Sequence, residues 1–221
     1  MRVSTALLTI ASTALVASGS VAPFTETFEL GDSNWTAATG PATWNATGSI
    51  DNSAYISGSV DLNNAGPFGM TVLRGHGDLN ASGGAFVGNY LASGVTTIEF
   101  DIRQNSGFDL GLALRVASPL NSPALNVSAG QLAASGQWVH LSFDLFFGNP
   151  LMTLEGPPTP DFYNAVMSSI GNLQVSAARP DGLSTPLIVD FDLDNVQITP
   201  TPGGTALLGL GCLVATRRRR S

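Results

Sequence analysis

Apolar and polar residues alternate along several stretches of this chain, and a period of two admits little besides a half-buried β-strand. Ile98, Phe100 and Ile102 alternate with Thr97, Glu99, Asp101 and Arg103. Leu110, Leu112, Leu114 and Val116 alternate with Gly111, Ala113 and Arg115. Val139, Leu141, Phe143 and Leu145 alternate with Trp138, His140, Ser142 and Asp144. Leu187, Val189, Phe191 and Leu193 alternate with Ile188, Asp190, Asp192 and Asp194, after which Val196 and Ile198 carry the apolar set. That one-residue shift at Asp194-Asn195 predicts a β-bulge. One helix is expected: Thr159 caps it, Pro160 sits in its first turn, Phe162, Val166 and Ile170 line one face, and Gly171-Asn172 ends it. The rest reads as strands and Gly/Asn-rich turns, so the expected architecture is all-β, a jelly-roll β-sandwich with one short helix.

The two ends are of a different kind. Arg2, an apolar run from Val3 to Ala17 and the small residues Ser18 to Ala22 describe a secretory signal peptide over residues 1–22. At the other end a breaker, Thr201-Pro202-Gly203-Gly204, precedes an apolar run from Thr205 to Thr216 and the block Arg217, Arg218, Arg219 and Arg220. At 1.5 Å per residue that run makes a helix of about 18 Å, against a hydrocarbon core of about 30 Å. Such a segment inserts transiently and anchors weakly, with its arginines on the cytoplasmic side. The chain therefore divides into a signal peptide (1–22), a β-sandwich body (23–199) and a C-terminal tail (200–221).

The tail resembles the PEP-CTERM sorting signal of Gram-negative bacteria, on the residues Ala206-Leu207-Leu208-Gly209-Leu210-Gly211 and Arg217 to Arg220. Thr201-Pro202-Gly203-Gly204 stands where Pro-Glu-Pro is usual, so the motif is a variant without glutamate. The resemblance implies an exosortase-type sorting protease as partner. Gly203-Gly204 is also similar to the GlyGly-CTERM signal read by a rhomboid-type protease. Either implies delivery to the cell envelope or extracellular matrix.

Charge separates body from ends. Five of the nine arginines lie in the two terminal signals and lysine is absent, while all 16 acids lie between Glu26 and Asp194. Four arginines against those acids leave the body at −12, which repels phosphate and argues against nucleic acid as a partner. Cys212, the only cysteine, sits in the tail, so the body has no thiol chemistry. A body of this size buries about 70% of its unfolded surface without needing a disulfide.

Phe24-Thr25-Glu26-Thr27-Phe28-Glu29 leading to Trp35, Gly136-Gln137-Trp138-Val139, a short helix before Leu173-Gln174-Val175, and a closing Asp192-Leu193-Asp194-Asn195-Val196 follow in order. In that order they resemble the galactose-binding-like jelly rolls of carbohydrate-binding modules. The resemblance implies an extracellular polysaccharide as partner and a structural Ca²⁺ joining first and last strands. Asp190, Asp192 and Asp194 share one strand face and repel one another unless water or a cation compensates. Glu26, Glu29, Asp192 and Asp194 are the expected calcium ligands, with a bulge or turn needed to bring Glu26 and Glu29 to the same side. Trp138, on the polar side of its strand, is the first candidate sugar platform, followed by Trp44 and Tyr55 among polar flanks. Arg74-Gly75-His76-Gly77-Asp78 reads as a glycine-rich loop whose Arg74 can line a groove.

No catalytic set emerges. Glu99 and Asp101 share a strand face, but the position five residues beyond Glu99, where some jelly-roll glycosidases place a third acid, is Gln104. His76 and His140 have no triad spacing around them, and Ser82-Gly83-Gly84 lacks the flanking glycines of a nucleophile elbow. The expectation is an exported, non-catalytic jelly-roll domain that binds glycan and is stabilised by calcium; the alternatives are a polysaccharide-active enzyme or a purely structural surface protein.

Overall fold

The computed structural model describes residues 21–64, 69–183 and 186–200. The signal peptide, apart from Val21 and Ala22, and the sorting tail from Thr201 to Arg220 lie outside the described residues. In chain order the elements are β1 (Phe24–Glu26), β2 (Thr36–Ala37), β3 (Gly40–Pro41), β4 (Thr43–Asn45), β5 (Tyr55–Asp61), β6 (Met70–His76), α1 (Tyr90–Ser93), β7 (Val95–Gln104), β8 (Leu110–Ala117), β9 (Ala124–Ala133), β10 (Val139–Asp144), β11 (Met152–Leu154), α2 (Pro160–Met167), β12 (Asn172–Ala177) and β13 (Ile188–Pro200).

The strands form two antiparallel sheets. Sheet A runs β10-β7-β13-β5-β4, and β1 pairs with the second half of β13. Sheet B runs β11-β9-β8-β12-β6-β2-β3. The chain passes repeatedly from one sheet to the other, so strands distant in sequence become neighbours and β13 closes the middle of sheet A between β7 and β5.

The predicted alternation sets the core. Ile98, Phe100 and Ile102 of β7 are fully buried, as are Phe191, Leu193, Val196 and Ile198 of β13 and Leu114 and Val116 of β8. Each such side chain contributes about 1.5–3 kcal/mol on leaving water. The bulge lies where the sequence places it: the β13–β7 register shifts between Asp194 and Gln197, with Asn195 at φ 51°. In α2, Thr159 caps the N–H of Phe162 at 3.3 Å, and Tyr163, Val166 and Met167 are buried.

One corner explains a segment that the sequence suggested was a loop. Arg74 to His76 belong to strand β6, and Trp35 lies fully buried against it. A Cβ at residue 75 would stand 2.9 Å from the Trp35 ring, so glycine there serves close packing rather than a turn. Phe28 and Phe86 meet the same indole edge-on at 5.7 and 5.9 Å, and Ser82 accepts its N–H at 2.8 Å.

Candidate functional site

The outer side of each sheet is patterned with polar residues; on sheet B the central ones, Asn126, Asn172, Gln174 and Ser176, are buried. On face A, the outer side of sheet A, Trp138 and Tyr55 come together as an edge-on pair with centroids 5.6 Å apart. Between them lies Arg103, its guanidinium carbon 4.7 Å from the Trp138 centroid and 5.4 Å from that of Tyr55. Nε and Nη2 of Arg103 donate to Asp192 Oδ2 at 2.8 and 2.7 Å. The aromatic platform expected for a sugar is thus engaged by an arginine of the same chain. Next to it, Asn105 donates to Asp190 Oδ2 at 2.7 Å and accepts from the Asp190 N–H at 2.9 Å. A cleft of about 530 Å³ runs over these pairs, bordered by Thr43, Ser57 and Ser59.

Further along face A the acids are also partnered. Asp101 meets His140 Nδ1 at 2.9 Å and accepts from Asn195 Nδ2 at 2.8 Å. Asp194, opposite Asp101 across the ladder, is fully buried. It accepts from the Asn195 N–H at 2.7 Å and the Ser53 hydroxyl at 3.2 Å. Burial pushes its carboxyl up to about 6 against those hydrogen bonds, and the Asp51 charge adds to the rise. Asp51 itself is drawn down to about 2, first by the Ser49 hydroxyl and then by Ser53. Glu99 accepts from the Ser142 hydroxyl at 3.0 Å. Gln104 is buried and donates to the Phe108 carbonyl at 2.5 Å.

Trp44 does not join this group. It stands opposite Ile56 on the short edge strand β4, exposed, and its indole N–H donates to the Phe28 carbonyl at 2.7 Å.

The four carboxylates expected around one calcium ion do not converge. Glu26 pairs with Val196 and therefore faces the core side, where its Oε1 accepts the Phe28 N–H at 2.9 Å. Phe28 adopts φ 54°, and the turn it makes brings Glu29 to the same hollow of about 380 Å³. Asp192 and Asp194 lie across the sheet on face A, engaged with Arg103 and with the Ser53 turn. Among the described residues no three His, Cys, Asp or Glu side chains are placed to hold a metal ion. The residues named for calcium therefore do not fit a shared site.

Face B, the outer side of sheet B, is built differently. Thr36, Arg74, Gln174, Arg115, Asn126 and Thr153 are successive cross-strand partners on β2, β6, β12, β8, β9 and β11. At about 4.8 Å per strand this single row spans about 24 Å. Asn121, in the loop after β8, ties its centre: Oδ1 accepts from Gln174 Nε2 at 2.6 Å and from Arg115 Nη1 at 2.8 Å. Glu155 takes two bonds from Arg115, Nε at 2.6 Å and Nη2 at 2.7 Å, and one from Asn126 Nδ2 at 2.7 Å. Those hydrogen bonds, Arg115 foremost, hold the Glu155 carboxyl below its ordinary value.

The row is incomplete at two atoms. Nε of Arg74 and Oδ1 of Asn126 are shielded from solvent and have no hydrogen-bond partner. A shielded polar group left unpaired costs about 1–3 kcal/mol. Arg74 reaches only Gln174 Oε1, at 3.5 Å from Nη2, and that oxygen already accepts from Thr71 at 2.9 Å. Burial lowers the Arg74 pKa, and the neighbouring Arg115 charge lowers it further. Only Arg74 of this row was picked out from sequence. Its partners lie between residues 36 and 174 on other strands and carry no local signal.

No protein-family model matches the sequence, and no curated protein is similar to it. Among solved structures the chain is similar to the CBM22-1 and GH10 modules of endo-1,4-β-D-xylanase 10B from Clostridium thermocellum, complexed with xylohexaose. There the identity is 13% over 80% of this chain and 28% of that one, with a TM-score of 0.50. It is similar to an exo-β-agarase at 14% identity over 81% and 26% of the two chains, also with a TM-score of 0.50. The fold is a jelly-roll β-sandwich. The chain spans about a quarter of the length of each of these two structures. The family 11 carbohydrate-binding module of the cellulosomal cellulase Lic26A-Cel5E of Clostridium thermocellum has 12% identity over 83% and 97% of the chains, at a TM-score of 0.42. Identities this low carry the fold and nothing finer.

Proposed function

We propose that this chain is an exported, non-catalytic module that binds a polysaccharide across face B. The observation that carries the reading is the polar row with two shielded atoms of opposite character, the Arg74 Nε donor and the Asn126 Oδ1 acceptor. Saccharide hydroxyls both donate and accept, so one ligand class answers both. The xylanase structure, of which 28% shares the fold, was solved with xylohexaose, which favours the same class here. Glycoside hydrolysis needs two carboxyls about 5 to 9.5 Å apart flanking the scissile bond. Glu155 on face B is held by Arg115 and Asn126, and on face A Asp194 is closed off from substrate, which supports binding over catalysis.

The ends supply the destination in this reading. The signal peptide over residues 1–22 exports the chain, and the tail over 200–221 directs it to the envelope or extracellular matrix through an exosortase-type protease. Among the described residues no helix is long and apolar enough to cross a membrane. A polysaccharide-binding screen tests the ligand: retention by at least one polysaccharide that falls with Arg74→Ala supports the reading, and no retention by any of them sinks it. Mass spectrometry of the mature product tests the route by reading both termini.

A further inference from the structure

We propose that the saccharide bound on face B is anionic, its carboxylate received by the Arg74 guanidinium. The inference rests on face B being the glycan site and adds the charge of the ligand. Of the body's four arginines, Arg103 and Arg115 each hold a carboxylate, Asp192 and Glu155. Arg179 donates to Asn63 Oδ1 at 2.9 Å and to the Leu183 carbonyl at 2.5 Å. Arg74 has no ion-pair partner among the described residues, and its Nε has no partner of any kind.

A guanidinium half-buried beside a second one, in a body with a twelve-charge excess of acids, is an arrangement that an incoming anion completes. A carboxylate presents two oxygens at the spacing of Nε and Nη2; once the Arg74 side chain turns to uncover the shielded Nε, it supplies the missing acceptor and a charge-assisted second bond together. A neutral hydroxyl would answer Nε and leave the charge unbalanced. The acids of the body do not oppose this locally. Glu99, Asp101, Asp190, Asp192 and Asp194 project from face A. The two faces stand more than the sheet spacing of about 10 Å apart, so the pull of those acids on Arg74 is weaker than that of a carboxylate in contact with it. On face B Glu155 is already paired with Arg115, and Asp78 stands 3.9 Å from His76 at the end of β6. Asn126 Oδ1 remains for a hydroxyl of the same chain.

The test compares binding of the full-length protein to polygalacturonate, to its methyl ester and to xylan, by affinity electrophoresis and calorimetry. The expected result is an affinity for polygalacturonate about tenfold or more above that for the methyl ester, the size of one charge-assisted bidentate pair. Arg74→Gln should abolish that preference while leaving the melting temperature within a degree or two, and Arg74→Lys should restore part of it. Equal affinity for acid and ester, or a preference that survives Arg74→Gln, overturns the inference. Binding to xylan alone overturns it and leaves the glycan reading standing. Binding to none of the three, by a protein shown folded by its melting transition, overturns the inference and leaves the glycan reading to the wider polysaccharide screen.

Discussion

Faces A and B share a patterning rule and differ in how completely they satisfy themselves. On face A every prominent charge has an internal answer: Arg103 lies between two rings and on Asp192, Asp190 pairs with Asn105, and Asp101 bridges His140 and Asn195. On face B the row from Thr36 to Thr153 is tied at Asn121 and Glu155, yet leaves a donor unanswered at Arg74 and an acceptor at Asn126. A self-satisfied polar face rigidifies a sheet, whereas one with shielded atoms left over has a requirement that a ligand can meet. Cleft volume alone ranks these the other way, because the open cleft of about 530 Å³ lies on face A. Hydrogen-bond bookkeeping, not concavity, separates them.

The comparison can be broken most sharply at Arg115. Arg115→Ala leaves Glu155 without its cation and unhooks Asn121, so a loss of about 3 kcal/mol is expected, together with weaker glycan binding. Chemical denaturation and a binding titration read the two effects. Loss of binding with full stability would show that the row is not held together as described.

Asp194 comes next. Its carboxyl is raised to about 6 from an ordinary 3.8, so the folded state holds a proton that the unfolded chain releases. The stability tied to that proton is present in full below pH 3.8 and lost as the pH rises through about 6. The loss is up to about 3 kcal/mol. Asp194→Asn should flatten this window and stabilise the domain at pH 7, with glycan affinity unchanged. A denaturation series from pH 3.5 to 7.5 on both proteins checks it, and identical pH profiles would remove the effect.

A smaller change is expected at the clamp. Asp192→Ala strands Arg103 between Tyr55 and Trp138 and should cost about 2 kcal/mol, discounted for the partial exposure of the pair. Binding should not respond. The smallest effect is that of Arg74→Met, which removes the orphan donor and should leave stability level or raise it by less than about 1 kcal/mol. A clear destabilisation by Arg74→Met would mean that Arg74 has a structural partner after all.

Strands β7, β8, β10 and β13, the start of the helix and the bulge at Asp194-Asn195 were legible in the sequence, because each is a local pattern of period two or of capping residues; β6 and β9 were not, and the helix stops at Met167, short of Ile170. The glycine at 75 misled, since a residue that makes room for Trp35 looks the same in sequence as one that makes a turn. Trp138 was assigned to its polar face, but not its stacking on Arg103, which depends on the β10–β7 register. Trp44 is exposed but stands apart from that pair: in a strand of three residues one step of register decides the face. The proposed grouping of Glu26 and Glu29 with Asp192 and Asp194 failed because Glu26, opposite Val196, faces the core side while the aspartates face outward. The row on face B joins residues 36 to 174, and no local pattern announces a partner so far away.

The most direct test follows the side-chain N–H resonances as polygalacturonate is added to the labelled protein. The account predicts that the Arg74 Nε–H and the Asn126 amide signals move, while the Trp138 indole and Arg103 Nε–H signals stay in place. Movement of Trp138 and Arg103 with Arg74 unmoved would put the ligand on the other sheet and contradict the account at its centre.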